Sequence, residues 1–249
     1  MRINYDAVCD IGCVRTNNED MILVDRHFLR DESATGEQTV NINSRFCAIV
    51  ADGMGGYNGG ELASDIATQE FDTWINDLPS RLSRGSVNAE VQDFALATHN
   101  LINRRGDELQ GYQGMGTTLV GLFFYENMPY WINIGDSRIY IFRDGNLRQI
   151  SRDHSIRNLL NDPKQPSNLI YNSLGTGQEA NTFADCDNLP LFDGDCLLIC
   201  SDGLTDMVDD DHLALLMQES APAASFINAA RSAGGEDNIS VILLRISEP

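Results

Sequence analysis

The sequence predicts an α+β fold: a four-layer α-β-β-α sandwich of two mainly antiparallel sheets flanked by helices. Two observations predict it. The elements run in the order strands, two helices, a run of strands, short helices and a final strand, which segregates helices from strands rather than alternating them. The links between several strand-type runs are also short. Asn127-Met128-Pro129 and Arg143-Asp144-Gly145-Asn146 sit at turn positions, the second a clear hairpin signal, whereas a doubly wound parallel sheet needs long helical crossovers.

Each element has its own signal. Ile3 to Val14 reads as a first strand ending near Gly12, followed by the polar cluster Arg15-Thr16-Asn17-Asn18-Glu19-Asp20. Met21 to Phe28 reads as a second strand, Arg30 to Ser44 as a polar connection, and Phe46 to Ala51 as a third strand that delivers Asp52. Leu62, Ala63, Ile66, Ala67, Phe71, Trp74, Ile75 and Leu78 recur at three and four, so Glu61 to Leu78 is an amphipathic helix that Pro79 ends. A second helix spans about Val87 to Arg105, with Ser86 or Asn88 as cap. The period then changes to short β-type runs at Thr117 to Tyr125, Tyr130 to Ile134, Arg138 to Arg143 and Leu147 to Ile150. Ser151 to Asp187 reads as mostly irregular, with one helical turn near Ile156 to Leu160. Cys196 to Cys200 is an apolar strand that delivers Asp202. Helical segments near Asp209 to Glu219 and Pro222 to Ala233 precede a last strand, Ile239 to Ile246.

Composition bounds the function. The 249 residues, 42% of them hydrophobic, suffice for a sizeable core. A net charge of −20 argues against a nucleic-acid backbone or an anionic membrane as partner, since both need a basic face. Met1 to Ala7 has no basic region followed by an apolar run, which predicts no signal peptide. No apolar run approaches the roughly 20 residues of a membrane span. The six cysteines read as reduced core thiols of a cytoplasmic protein. Cys9/Cys13 and Cys196/Cys200 are spaced four apart, which is no zinc knuckle, and no His pair completes a site.

The stretch Ala51-Asp52-Gly53-Met54-Gly55-Gly56-Tyr57-Asn58-Gly59-Gly60-Glu61 puts one acid and five glycines between a strand and a helix. Glycine lets backbone approach a ligand closely. It is not a phosphate loop of the Gly-Lys-Ser/Thr type, nor a dinucleotide fingerprint. Alone it reads equally well as a cation site or as an ordinary turn with a solvated acid. The arrangement repeats, however. Asp136 and Asp202 also follow apolar strands beside glycine, and Asp237 and the Glu19-Asp20 pair sit just before strands. Carboxylates that converge repel one another, and divalent cations held by oxygen remove that conflict, which suits Mg²⁺ or Mn²⁺ better than zinc.

At this point the chain resembles a family. Its marks are Asp10-Ile-Gly12-x-x-Arg15-x-x-Asn18-Glu19-Asp20, the Ala51 to Gly56 stretch through Gly60-Glu61-x-Ala63-Ser64, and Gly114-Met115-Gly116-Thr117-Thr118. Ile134-Gly135-Asp136-Ser137-Arg138, Asp153-His154-Ser155, Cys200-Ser201-Asp202-Gly203-Leu204 and Gly234-Gly235-x-Asp237-Asn238 follow in family order. The chain is similar to the metal-dependent Ser/Thr protein phosphatases of type 2C, the PPM family, in their bacterial single-domain form, over nearly its whole length. The resemblance implies one catalytic domain spanning residues 1–249 and the α-β-β-α sandwich.

The resemblance also implies roles. Asp52 would bridge two metal ions, Mn²⁺ or Mg²⁺, with the Gly53 carbonyl ligating one. Asp202 and Asp237 would hold the first metal, Glu19 and Asp20 would serve the second directly or through water, and Asp136 would belong to a weaker third. Arg15 would bind the substrate phosphate, for which its planar, permanently charged fork is suited; an ion pair with Glu19, four residues on, is the alternative. The implied reaction is hydrolysis of phosphoserine or phosphothreonine on proteins by a metal-bridged water. The implied partners are a phosphorylated protein and a cognate bacterial Ser/Thr kinase whose action it opposes, with the phosphatase a monomer. His154 reads as structural, and His27, His99 and His212 as core or surface residues. Two departures stand out. Met54 occupies the place where some relatives carry a proposed His general acid, and the flap region, about residues 155–190, is short. A docking module without chemistry, an antagonist of one phosphorylated switch protein and a structural calcium-binding domain are the competing readings.

Overall fold

The computed structural model describes residues 1–55, 59–166, 169–176 and 182–248. The Gly56-Tyr57-Asn58 part of the glycine-rich stretch lies outside them. The chain order is β1 (Arg2–Asp10), β2 (Asp20–Val24), β3 (His27–Leu29), β4 (Ser33–Thr39), β5 (Cys47–Met54), α1 (Gly59–Asp77) and α2 (Arg84–Glu108). There follow β6 (Gly116–Thr117), β7 (Leu119–Tyr125), β8 (Met128–Ile134), β9 (Arg138–Arg143), β10 (Asn146–Gln149) and α3 (Ile156–Leu160). The last elements are β11 (Asp185–Asn188), β12 (Cys196–Cys200), α4 (Asp202–Thr205), α5 (Asp210–Gln218), α6 (Ala223–Ser232) and β13 (Ile239–Ser247).

The strands form two sheets, β10-β9-β12-β13-β1-β4 and β11-β8-β7-β5-β2-β3, with β6 added to β5. Every strand pairing in them is antiparallel. Strand alternation explains the layers, because a strand offers its odd and even residues to opposite faces. Ile3, Tyr5 and Ala7 of β1, Ala48 and Val50 of β5, and Ile242 and Leu244 of β13 meet between the sheets. Leu23, Cys47 and Ile49 face the other way, onto Ala67, Phe71 and Ile75 of α1 and Val91 and Phe94 of α2. Leu198 and Cys200 of β12 and Val241 and Leu243 of β13 pack on Leu213 of α5 and Phe226 of α6. The four-layer sandwich expected from the sequence is the observed one.

Several boundaries differ for physical reasons. Met21 to Phe28 is not one strand but a hairpin, β2 and β3, turned by Asp25 (φ 46°) and Arg26 (φ 67°). Two consecutive left-handed residues make the turn that matches strand twist, and here no glycine announces it. The polar connection Arg30 to Ser44 contains β4, an edge strand paired to β1, with exposed and half-buried residues alternating along it. Its Gly36 faces Tyr5, and a Cβ there would overlap the Tyr5 ring. The second helix begins earlier, capped by Ser83 rather than Ser86 or Asn88; the Ser83 Oγ accepts the Ser86 N–H at 3.1 Å. The irregular reading of Ser151 to Asp187 missed the start of β11. Among the described residues no helix is long and apolar enough to cross a membrane.

Candidate active site

The site is built where β5 leaves the sheet. Strand pairing carries β5 past Ala51, so Asp52 lies inside the strand, opposite Asp20 of β2, rather than at its end. Residues directly opposite share a face of the sheet. Thr117 and Thr118 fix the Asp52 backbone: its N–H donates to Thr118 Oγ1 at 3.0 Å, and its carbonyl accepts from Thr118 N and Thr117 Oγ1, each at 2.9 Å. Gly53 follows, and here the absence of a side chain is required. A Cβ on Gly53 would fall on the carbonyl oxygens of Gly60 and Glu19. The first turn of α1 therefore presses directly on the strand.

Other elements bring further acids to the same end. β12 ends at Cys200, and Asp202 opens α4. β8 ends at Ile134, and Gly135, at φ +113°, turns the chain so that Asp136 follows. Asp237 precedes β13, where Asn238 ties three segments together. Its Nδ2 donates to the carbonyls of Ile11 (2.9 Å) and Asn17 (3.0 Å), and its Oδ1 accepts the Glu19 N–H at 2.9 Å.

These side chains line one cleft of about 310 Å³. Its walls carry Arg15, Glu19, Asp52, Asp136, Asp202 and Asp237, with Gly53, Met54, Thr118 and Ile170 beside them. Of the residues singled out from the sequence, Asp20 alone is not a wall. It is 1% exposed and sits behind, its Oδ2 accepting from Ser201 Oγ at 2.8 Å. Arg15 makes its ion pair with Asp237, Nη2 to Oδ2 at 2.6 Å, rather than with Glu19.

The electrostatics are those of acids forced together. Burial pushes Asp20 up to about 7, with hydrogen bonds from Ser240 and Ser201 opposing it. Burial, then the charges of Asp20, Asp202 and Asp136, hold the Asp52 carboxyl well above the ordinary range. Burial, with Asp202 beside it, raises Asp136 to about 8. Burial raises Asp202 to about 6, and a hydrogen bond from the Asp52 carboxyl opposes the rise. Glu19 is raised by burial, with Arg15 opposing. Among the described residues, no three Asp, Glu, His or Cys side chains are gathered tightly enough to hold an ion as they stand. Among the described wall residues the charged donors are all oxygen, with no Cys or His. That chemistry fits hard divalent cations and not zinc.

Some contributors carried little sequence signal. Thr118 holds the Asp52 N–H, and only its place in the Gly114-to-Thr118 block pointed to it. His154, read as structural, holds the Asp136 turn: its Nδ1 accepts the Gly135 N–H at 3.1 Å, and its Nε2 lies 3.1 Å from Asp185 Oδ2. His99, read as a core or surface residue, is a core residue whose Nδ1 accepts the Gly175 N–H at 3.1 Å.

Comparison with known proteins gives the same architecture and the same chemistry. The family model described as protein phosphatase 2C matches residues 28–233. The protein phosphatase PhpP of Streptococcus pneumoniae is 32% identical, over 99% of this chain and 98% of its own. The crystal structure of the Mycobacterium tuberculosis serine/threonine phosphatase PstP superimposes with a TM-score of 0.79 at 30% identity and covers 100% of both chains. A structure of the PstP catalytic domain in complex with two manganese ions superimposes with a TM-score of 0.76 at 29% identity, again over 100% of both chains. By sequence along nearly its full length and by fold, the chain belongs to the protein phosphatase 2C family.

Proposed function

We propose that this cleft carries out metal-dependent hydrolysis of phosphoserine and phosphothreonine on proteins, with the roles divided residue by residue as follows. The observation that carries the reading is the convergence of Glu19, Asp52, Asp136, Asp202 and Asp237 with Arg15 on one cleft. Asp52, Asp202 and Asp237 would hold one divalent ion, and the Gly53 carbonyl would ligate one of the two. Asp52 would share a second with Glu19, with Asp20 acting from behind through its Ser201-fixed carboxylate. Bound there, such ions supply charge neutralisation on the phosphoryl group and a water activated for in-line attack. Arg15 binds two phosphate oxygens through its fork and orients the ester. Among the described residues no histidine lines the cleft, and Met54 stands where some relatives carry a His, so the leaving oxygen would take its proton from water or from another group.

Mn²⁺ is the ion in the similar PstP structure, and the same oxygen donors suit Mg²⁺. A weaker third ion at Asp136 is supported by that acid's place on the cleft wall. The reading extends to one catalytic domain over residues 1–249, a monomer in the cytoplasm, and a phosphoprotein substrate opposed to a Ser/Thr kinase. Six free cysteines support the cytoplasmic assignment.

The test is turnover of an aryl phosphate, then of a phosphothreonine peptide, with Mn²⁺, with Mg²⁺ and with EDTA, alongside Asp52→Asn. Turnover that needs the metal and disappears in the variant is expected. No turnover of either substrate with either ion overturns the reading and leaves a docking module.

A further inference from the structure

Arg30 lies between β3 and β4, away from every motif in the chain, yet its side chain reaches into the back of the site. It is 17% exposed and contacts two separate elements. Nε donates to the Asp20 carbonyl at 3.1 Å. Nη1 donates to Glu61 Oε1 at 3.2 Å. Nη2 reaches the Glu61 carbonyl (3.1 Å), Ser64 Oγ (3.0 Å) and Asp65 Oδ1 (2.9 Å). One guanidinium thus joins the acid pair at the start of β2 to the first turns of α1.

The connection continues to the cleft. Ser64 Oγ donates to the Glu19 carbonyl at 2.6 Å, and the Gly53 N–H donates to the same oxygen at 3.2 Å. A Cβ on Gly60 would overlap the Gly53 backbone, so α1 and the strand touch without spacing. Any shift of α1 relative to β2 therefore moves Glu19, Asp20 and Gly53 against Asp52. Only a planar fork with five donors reaches a carbonyl on one side and a hydroxyl and two carboxylates on the other; an ammonium group does not.

We propose that Arg30 is a positioning residue: it clamps α1 to the Glu19-Asp20 segment and thereby sets the affinity of the Glu19/Asp20 side of the site for its divalent ion. The proposal rests on the metal site proposed above. Residues that orient ligating side chains typically contribute about 10–100-fold to metal affinity.

The experiment is Mn²⁺ titration by calorimetry on the wild type, Arg30→Met, Arg30→Lys and, as a control, Arg143→Met, with thermal unfolding of each in EDTA. Arg143 pairs with Asp195 away from the cleft. The expected result is Mn²⁺ binding about tenfold weaker in Arg30→Met, little restored in Arg30→Lys, whose ammonium cannot bridge both sides, and unchanged in Arg143→Met. At saturating Mn²⁺, kcat stays within about threefold of the wild type. A variant that unfolds in EDTA earlier than the wild type but binds Mn²⁺ equally well assigns Arg30 a purely structural role and overturns the proposal. If Arg30→Met does not fold, Arg30→Lys decides alone, since unaltered Mn²⁺ affinity there has the same meaning. A wild type that binds no Mn²⁺ overturns the metal site itself, which is a different failure.

Discussion

Two groups of buried acids in this molecule are treated in opposite ways. At the two ends of β9, Asp153 and Asp195 each receive an arginine fork, from Arg138 and Arg143. Arg138 donates to both oxygens of Asp153 at 2.8–3.2 Å, and Arg143 to both oxygens of Asp195 at 2.7 and 2.6 Å. In the cleft, Asp136 is buried and Asp52 and Asp202 are half-buried, yet they face one another, and the one arginine among the described wall residues is turned to Asp237. A buried carboxylate normally demands a partner. Asp153 and Asp195 have one, whereas the three left facing each other fit the divalent cation proposed above.

That contrast is broken or upheld by exchanging charge for amide on each side. Asp52→Asn is expected to cost at least about 10²–10³ in metal-dependent turnover, the scale of losing one partner of the transition-state charge. Its stability in EDTA should hold or rise, because one of several repelling acids is gone. Asp195→Asn should behave in reverse, with kcat unchanged and unfolding easier by about 2 kcal/mol. That figure is discounted from the ~3–5 of a broken buried pair because Arg143 is one-third exposed. Urea titrations and steady-state kinetics on both variants read the two axes. Equal losses on both axes in both variants would remove the distinction.

Arg15 stands between the two classes, an arginine on the cleft wall that pairs with a cleft acid. If the pair with Asp237 is only structural, Arg15→Ala should act through stability. If Arg15 binds phosphate, the loss falls on kcat/KM, by about 10–100-fold for one charge-assisted bidentate contact at 1.5–3 kcal/mol, with Tm in EDTA nearly unchanged. Its side chain is 48% exposed, which leaves little stability to lose.

The fold and the cleft were legible to different depths. The apolar run Phe46 to Ala51 and the periodic Glu61 to Leu78 announced β5 and α1 because burial on one face imposes a pattern on neighbouring residues. The acids beside glycine announced the cleft for the same local reason. Asp20 was expected to serve the second ion directly or through water, and nothing near it in sequence says that Ser201, 181 residues on, holds it behind the cleft. Arg30 was invisible because its partners lie 10 to 35 residues away and two of them are backbone carbonyls, which every residue possesses. The Asp25-Arg26 turn hid because its conformation, not its composition, is what a hairpin needs.

Acidity sharpens the contrast next. Burial, with mutual repulsion, raises Asp202 to about 6, Asp20 to about 7 and Asp136 to about 8, and Asp52 also lies high. Each folded value exceeds the ordinary carboxylate value near 4. The folded protein in EDTA therefore binds more protons than the unfolded chain, and stability must fall as pH rises. The decline should span about pH 4 to 8 and be steepest where the most groups ionise. Thermal unfolding in EDTA at pH 5, 6, 7 and 8 reads it, and excess Mn²⁺ at the same pH values should flatten it by binding the ionised form. A stability in EDTA that climbs across this range would mean the cleft acids are not forced together.

The smallest effect tests whether burial, rather than pairing as such, divides the acids. Glu37 on the edge strand β4 faces Arg2 at 3.5 Å, with side chains 52% and 43% exposed. Water screens both charges, and two long side chains lose rotamer freedom to meet. Glu37→Gln should therefore change unfolding free energy by less than about 0.5 kcal/mol, and added salt should leave that difference flat. The β1–β4 ladder, running from Arg2 opposite Thr39 to Val8 opposite Ser33, holds the edge without it. A loss above about 1 kcal/mol would show that an exposed pair stabilises this chain as a buried one does. The arginine forks at Asp153 and Asp195 would then no longer mark those acids as a class apart from the cleft.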